Sequence, residues 1–341
     1  MFTQSIRAMI SFMKPYELAF KTLEILSDGA FHSGEKIAQH MGCSRVSVWK
    51  AISQLKDIGV EVFSVRNKGY RVPSSLSILN EKQIQHELGE IAQFINFELM
   101  HVIESTNSYL MQRAHEKPHA TVVAANFQTK GKGRRGRIWQ SHLGESLAMS
   151  ILWRFSKGTS QLSGLSLVIG IALQRAMRKI GIQNSFLKWP NDLLVKVEGS
   201  YYKIAGVLIE LQGDMESRSS AVIGIGLNYQ LSDRLRKKID QPAMGIKALL
   251  DQELHLNQLI AIVIREIIKI LSDFDQQDFS SFKQEWLSYH AFDKQPISFL
   301  KANGESVMGQ VLDLGTDGSL IIEKDSGEHE SLLSGEVSQI K

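Results

Sequence analysis

The chain has 341 residues, 43% hydrophobic and 22% charged, with a formal net charge of +3. These proportions suit a globular protein of two or three units and exclude a disordered or strongly basic chain, so any nucleic-acid contact must come from a local patch. The single cysteine, Cys43, excludes an internal disulfide or a thiolate metal cluster and suits a reducing compartment. No apolar run reaches membrane-spanning length, and residues 1–14 lack a signal-peptide pattern, so a cytoplasmic protein is expected.

The first unit is expected over residues 16–73. After Pro15, residues 16–26 predict a helix with Leu18, Leu23, Ile25 and Leu26 on its apolar face, stopped by Asp28-Gly29. Ser33 is placed to cap a second helix, Gly34 to Met41, with Ile37, Ala38 and Met41 inward. Ser44 is placed to cap a third, Arg45 to Ile58, whose Val48, Ala51, Ile52, Leu55 and Ile58 form one stripe. Val60 to Val65 alternates as a strand, Arg66 to Gly69 turns, and Tyr70 to Val72 returns. This order is that of a winged helix-turn-helix.

Pro73 to Ser77 forms a polar connector to a larger unit over residues 80–290, read as a mixed α/β domain. Buried strands are expected at 120–125 and 146–153, and a central helix from Leu162 to Lys179. A meander follows at 193–197, 202–211 and 221–229, and an amphipathic helix at 256–273 closes the unit. Residues 291–341 read as a small SH3-like β-barrel, with strands at 296–300, 306–314, 319–323 and 330–333. Its turns are Asn303-Gly304, Thr316 to Gly318 and Asp325 to Gly327. The fold class is therefore multidomain α+β.

The most informative stretch is Gly131-Lys-Gly-Arg-Arg-Gly-Arg137, followed by Ile138-Trp139. Three glycines let backbone wrap closely around a ligand, and four cations in seven residues attract an anion. It matches G-x-G-x-x-G formally, but no amphipathic helix follows, and Arg137-Ile138 stands where a P-loop needs Lys-Ser/Thr. A solvated basic loop is the competing reading. In Lys188-Trp-Pro-Asn-Asp192 the lysine follows a buried strand end and needs an anionic partner, either Asp192 or a ligand carboxylate or phosphate. Ser105-Thr-Asn107 reads as a helix cap or as neutral groups facing a polar ligand head. Gly206 within Lys203 to Glu210, and Gly224-Ile-Gly226-Leu-Asn228, either floor a pocket or admit a packed neighbour. No Ser-His-Asp, H-E-x-x-H or Cys/His frame is present. Cations and small residues without a nucleophile suit phosphoryl or nucleotidyl transfer.

In this order, Ser105-Thr-Asn107, Gln128, the Gly131 to Arg137 loop with Trp139, Lys188 to Asp192, Lys203-Ile-Ala-Gly206 and Gly224-x-Gly226-x-Asn228 resemble the biotin protein ligase family. With the winged helix in front, the chain resembles the bacterial bifunctional biotin ligase and biotin-operon repressor, from about Lys21 to Gly335-Glu-Val-Ser338. The resemblance implies that biotin and ATP form biotinyl-5′-AMP. Biotin then passes to a lysine of a biotin carboxyl carrier protein of acetyl-CoA carboxylase. It implies catalytic roles for Lys188 and Arg134, helped by backbone N–H groups of Gly131 and Gly133. Ser105, Thr106, Asn107, Gln128, Lys132, Gly133, Arg134 and Lys188 would hold biotin. Gly131, Lys132, Arg134, Arg135, Arg137, Trp139, Asn191 and Lys203 would surround ATP and the adenylate. Mg²⁺ would accompany ATP, with no protein ligands evident. The adenylate would also act as corepressor, favouring a homodimer on a two-half-site operator. Ser44, Arg45, Ser47 and Lys50 would face the major groove, and Arg66, Lys68 and Arg71 of the wing the phosphates. Trp49 fits either a core edge or an exposed position. Two departures stand out: Lys132 replaces the usual arginine, and Gln339-Ile340 replaces the usual terminal Leu-Arg. A non-catalytic biotin-sensing transcription factor and a lipoate-type ligase are the alternatives.

Overall fold

The computed structural model describes residues 16–73, 76–301 and 304–340. The expectations for residues 1–14, Pro15, the connector residues 74–75 and the turn residue Asn303 lie outside the described residues.

The first unit is a winged helix-turn-helix. A helix over residues 16–26 (α1) is followed by α2 (Gly34–Met41) and α3 (Arg45–Asp57), then by a wing of β1 (Phe63–Val65) and β2 (Gly69–Arg71). Ser33 accepts a hydrogen bond from the Lys36 N–H and Ser44 one from the Ser47 N–H, so both predicted caps form. On α1, Leu23 and Leu26 are buried as expected, Ala19 and Phe20 join them, and Leu18 and Ile25 pack half-buried against the same cluster. Within that core, Phe20 also stacks on His101 of the central unit at a ring separation of 4.3 Å. Val102 and Leu143 of the central unit complete the same apolar cluster. The predicted strand at Val60 begins pairing only at Phe63, because Val60 and Val62 turn into the core instead.

The central unit is built on seven strands in the order β3-β4-β5-β9-β8-β7-β6. They are β3 (Asn96–Ile103), β4 (Thr121–Gln128), β5 (Ser146–Phe155), β6 (Ser185–Lys188), β7 (Asp192–Val197), β8 (Ser200–Gly213) and β9 (Ser219–Asn228). Only β3 and β4 run parallel; the other pairs are antiparallel. The helices are α4 (Glu81–Leu88), α5 (Thr106–Arg113), α6 (Leu165–Lys179), α7 (Asp233–Arg236), α8 (Leu256–Gln276) and α9 (Lys283–Ser288). Both sheet faces are covered. Along β4, Val122 and Ala124 join the core of α6 and α8, while Val123 and Ala125 join that of α5. The helix expected from Leu162 begins at Leu165, because Gly164 takes a left-handed φ of 81°. β3 lacks a sequence signal because Glu98 and His101 interrupt its apolar pattern. Lys117 neutralises Glu98 at 2.6 Å.

The last unit is a five-stranded antiparallel sheet, in the order β13-β12-β11-β10-β14. Its strands are β10 (Pro296–Lys301), β11 (Ser306–Leu314), β12 (Leu320–Glu323), β13 (His329–Leu332) and β14 (Gly335–Gln339). β14 goes beyond the four strands expected. It has only Val337 as a fully buried large apolar residue, too little for a pattern. One apolar core runs from the central unit into this sheet, without a break at residue 290. Trp189 marks the join: its indole N–H donates to Gly318 O at 3.0 Å, and its ring lies 5.7 Å from Phe299.

His290 sits at that same seam, stacked on Trp286 at 5.0 Å. It is 5% exposed, and neither ring nitrogen has a hydrogen-bond partner among the described residues. Burial pushes its pKa down to about 4, with Asp293 opposing. The folded protein therefore holds a neutral ring while the unfolded chain takes up a proton below about pH 6.5. Stability contributed above that pH should fall as pH drops toward about 4, by on the order of 2–3 kcal/mol. Denaturant titrations at pH 7 and 4.5 should show this loss, and His290→Phe should flatten it. An unchanged pH slope in the variant would assign the acid sensitivity elsewhere.

Candidate active site and DNA-binding face

Strand register builds the floor of the site. Ala125 pairs with Ala148, Ala148 with Gly226, Gly226 with Gly206, Gly206 with Asp192, and Asp192 with Lys188. Directly paired residues share a face, so these six form one row across six strands. The row is small in the middle and charged at the β6 end. At Gly224, a Cβ would lie 2.1 Å from Asn107 Oδ1; at Gly226, one would lie 2.4 Å from the Trp139 ring. The glycines therefore both admit packed neighbours and floor the pocket. A bulge leaves Ile204 unpaired between Ala205 and Lys203, which brings Lys203 onto the face of Gly206.

Above this floor lies a cavity of about 1110 Å³. Twelve of the predicted residues line it: Ser105, Thr106, Asn107, Gln128, Lys132, Gly133, Arg134, Arg137, Trp139, Lys188, Asn191 and Lys203. Gly131 and Arg135 do not. Residues 238–243, which carry no sequence motif, also contribute, as do Glu336 to Gln339 at the end of the resemblance. The cationic run Arg234-Leu-Arg-Lys-Lys238, just after the Gly-x-Gly-x-Asn stretch, is the signal that could have pointed to the first of these.

The neutral end of the cavity is a buried hydrogen-bond network. Ser105 caps α5, accepting from the Ser108 N–H at 3.4 Å. Gln128 Oε1 accepts from the Thr106 N–H at 2.8 Å and from its hydroxyl at 3.1 Å. With its oxygen so used, Gln128 turns its two amide donors the other way, toward Gly131. Ser150, missed in the sequence, places its hydroxyl 2.6 Å from Thr106 Oγ1 and 2.5 Å from Asn107 Oδ1. Asn107 Nδ2 donates to Glu210 at 2.9 Å, and Lys132 lies 3.9 Å from the same carboxylate. The cap reading at residues 105–107 is thus borne out, and the same residues line the cavity.

At the cationic end, Asp192 is paired with Lys203 at 2.7 Å. No hydrogen bond or ion pair among the described residues reaches the half-buried Lys188 ammonium. Burial holds Lys188 below the usual lysine range, opposed by Asp192 and reinforced by Lys203. Burial also lowers Arg134, with Asp192 opposing; a guanidinium nonetheless stays charged. Asn191 fixes Arg134, accepting its Nη1 donor at 3.3 Å while donating its own amide to Val207 O at 2.8 Å.

The glycine loop is a small hairpin. The Trp139 N–H donates to Gly131 O at 2.9 Å, and the Gly133 N–H to Arg137 O at 2.7 Å. The expectation that Gly133 offers its N–H to a ligand is thus corrected: the hairpin uses it. Arg135, with a φ of 56°, does not line the cavity but reaches Glu336 of β14 at 3.8 Å. Arg137 bonds the same carboxylate at 2.5 Å, which raises its pKa. The last sheet thereby straps the loop down.

Trp139 forms the cavity wall over Gly226, its indole nitrogen buried without a partner among the described residues. Gly226→Ala should push that wall off the sheet at a cost of about 1–3 kcal/mol and weaken, by roughly tenfold or more, binding of the nucleotide that the resemblance expects beside Trp139. Calorimetric titration with ATP checks this; unchanged affinity would remove Trp139 as a wall.

On the first unit, Arg45, Lys50, Arg66 and Lys68 are exposed, Ser44 is exposed and Ser47 half-exposed. Arg71 is half-buried, its guanidinium 5.0 Å from Phe31 and 5.1 Å from Phe63. Trp49 is 61% exposed, which resolves its ambiguity.

Comparison with known proteins fits this architecture unit by unit. Residues 19–71 match the HTH domain, residues 99–228 the Biotin/lipoate A/B protein ligase family, and residues 295–338 the Biotin protein ligase C terminal domain. The biotin protein ligase from Aquifex aeolicus in complex with biotin and ATP superposes with a TM-score of 0.60 at 26% identity. The match covers 72% of this chain and 99% of that one. Fold and site together define a biotin protein ligase with a DNA-binding helix-turn-helix domain. The Bifunctional ligase/repressor BirA of Escherichia coli (strain K12) is 34% identical over 332 residues, 96% of this chain and 98% of that protein. BirA of Bacillus spizizenii is 30% identical over 300 residues, 87% of this chain and 90% of that protein. The chain belongs to the bifunctional ligase/repressor BirA family.

Proposed function

We propose that this chain activates biotin with ATP and that its activated product also governs its repressor role. A biotin carboxylate oxygen attacks the α-phosphorus of ATP, pyrophosphate leaves, and biotinyl-5′-AMP forms. The amine of a carrier-protein lysine then attacks the acyl carbon, loses a proton and releases AMP. The acceptor is the biotin carboxyl carrier protein of acetyl-CoA carboxylase. The observation that carries this reading is the Lys188 ammonium inside the cavity, without an ion pair among the described residues, while Asp192 is paired with Lys203. Two anions must meet for the first step, and Lys188 and Arg134 lower their mutual repulsion. Ser105 and Gln128 offer donors to the polar head of biotin. Lys132, as a point charge, replaces a guanidinium fork at the loop.

Arg137, Asn191, Lys203 and Trp139 border the nucleotide. Mg²⁺ is part of the nucleotide substrate, held by its phosphates. No group of three or more His, Cys, Asp or Glu side chains among the described residues is placed to hold a metal. The working units are residues 16–73 for DNA, 80–290 for chemistry and 291–341 for closing the loop. Adenylate-bound homodimers would occupy the operator of biotin genes, with the adenylate as corepressor, in the cytoplasm. No helix among the described residues is long and apolar enough to cross a membrane.

Biotin-dependent pyrophosphate release from ATP and Mg²⁺ tests the first half-reaction. The mass gain of one biotin on an added carrier domain tests the second. Tight biotin binding without pyrophosphate would leave a sensor, and adenylation of lipoate in preference to biotin would overturn the substrate.

A further inference from the structure

α3 carries an apolar pair that neither the core nor the ligation chemistry uses. Its buried stripe of Val48, Ala51, Ile52 and Leu55 faces inward. The other side exposes Arg45, Val46, Trp49 and Lys50, with Val46 62% and Trp49 61% exposed. Residues three apart are neighbours on a helix surface, so Val46 and Trp49 form one patch. They lie in the first turns of the second helix of the helix-turn-helix, the part that meets base edges. The surroundings are cationic: residues 43–56 and 62–72 contain Arg45, Lys50, Lys56, Arg66, Lys68 and Arg71 and no Asp or Glu. That charge favours a polyanion over a second copy of the same basic face. The apolar feature that base edges present in the major groove is the C5-methyl of thymine.

We propose that Val46 and Trp49 read thymine methyl groups, so that each operator half-site places thymine against the first turns of α3. The proposal rests on the DNA-binding reading of the helix-turn-helix domain. The cations supply affinity through phosphates, and the apolar pair supplies part of the sequence preference.

The test begins with a duplex selected from a random library by the full-length protein in the presence of biotin and ATP. Deoxyuridine then replaces thymine one position at a time, which removes a methyl group and leaves base pairing intact. At one or two neighbouring positions in each half-site, wild-type affinity should fall about fourfold per methyl. Trp49→Ala and Val46→Ala should bind the parent duplex more weakly and lose that discrimination. Their salt dependence should match wild type, because no phosphate contact is removed. Both side chains are exposed, so thermal unfolding should be unchanged. Equal thymine sensitivity in wild type and both variants, or none in wild type, overturns the proposal and leaves DNA binding standing. Full DNA binding by Trp49→Ala with an altered association state in sedimentation would make the patch a protein contact, also overturning it. Recovery of no preferred duplex would remove the DNA-binding reading itself, and the proposal with it.

Discussion

Lys188→Met is expected to lower biotin-dependent pyrophosphate release by about 10²–10³-fold, the cost of losing one preorganised charge at a reacting centre. No ion pair among the described residues holds the lysine, and in the variant Asp192 keeps its 2.7 Å ion pair with Lys203. Burial disfavours the ammonium in the folded protein, as its lowered pKa records. Methionine fills similar space without that penalty, so stability should hold or rise while activity collapses. This opposition separates a catalytic role from a structural one. Pyrophosphate release near the wild-type rate would sink the role given to Lys188, and a matching fall in stability would make it structural. Arg134→Ala should impair the same step, with a smaller stability change because Asn191 retains its bond to Val207 O.

Trp189→Ala should cost about 3–5 kcal/mol of folding stability, the usual range for deleting a large buried aromatic. Trp189 is 2% exposed, packs near Phe299, and donates to Gly318 O across the seam. Its loss should also loosen β14, and with it the Glu336 strap on Arg137. Denaturant unfolding would measure the stability loss, and limited proteolysis would show whether the last sheet is released first. Trp189→Phe should recover the packing but not the hydrogen bond, a deficit of about 1 kcal/mol. A near-neutral alanine variant would mean that the last sheet docks by other contacts.

The caps at Ser33 and Ser44, the stripe on α3 and the meander of β7 to β9 are legible in the residues themselves, because they follow from local rules of capping, periodicity and turns. β3 and β14 are not, because each is short on apolar residues or interrupted by polar ones that find partners far away. Ser150 and Glu210 escape notice as site residues for a related reason. Within β5 and β8 they read as ordinary strand positions, and only their contacts with Asn107 give them a role.

The sequence by itself determined which chemistry was available: four cations among glycines, one lysine at a buried strand end, small residues in two strands, and a basic hairpin after three helices. Such choices are carried by residue type and spacing, which local physics reads directly. Only the tertiary structure decided which groups are free to act. Strand register aligns Ala148, Gly226, Gly206, Asp192 and Lys188 on one face. The bulge at Ile204 then gives Asp192 to Lys203, leaving Lys188 for a ligand. Pairing between groups 11 or more positions apart in sequence depends on that register, and a slip of one residue would reverse it.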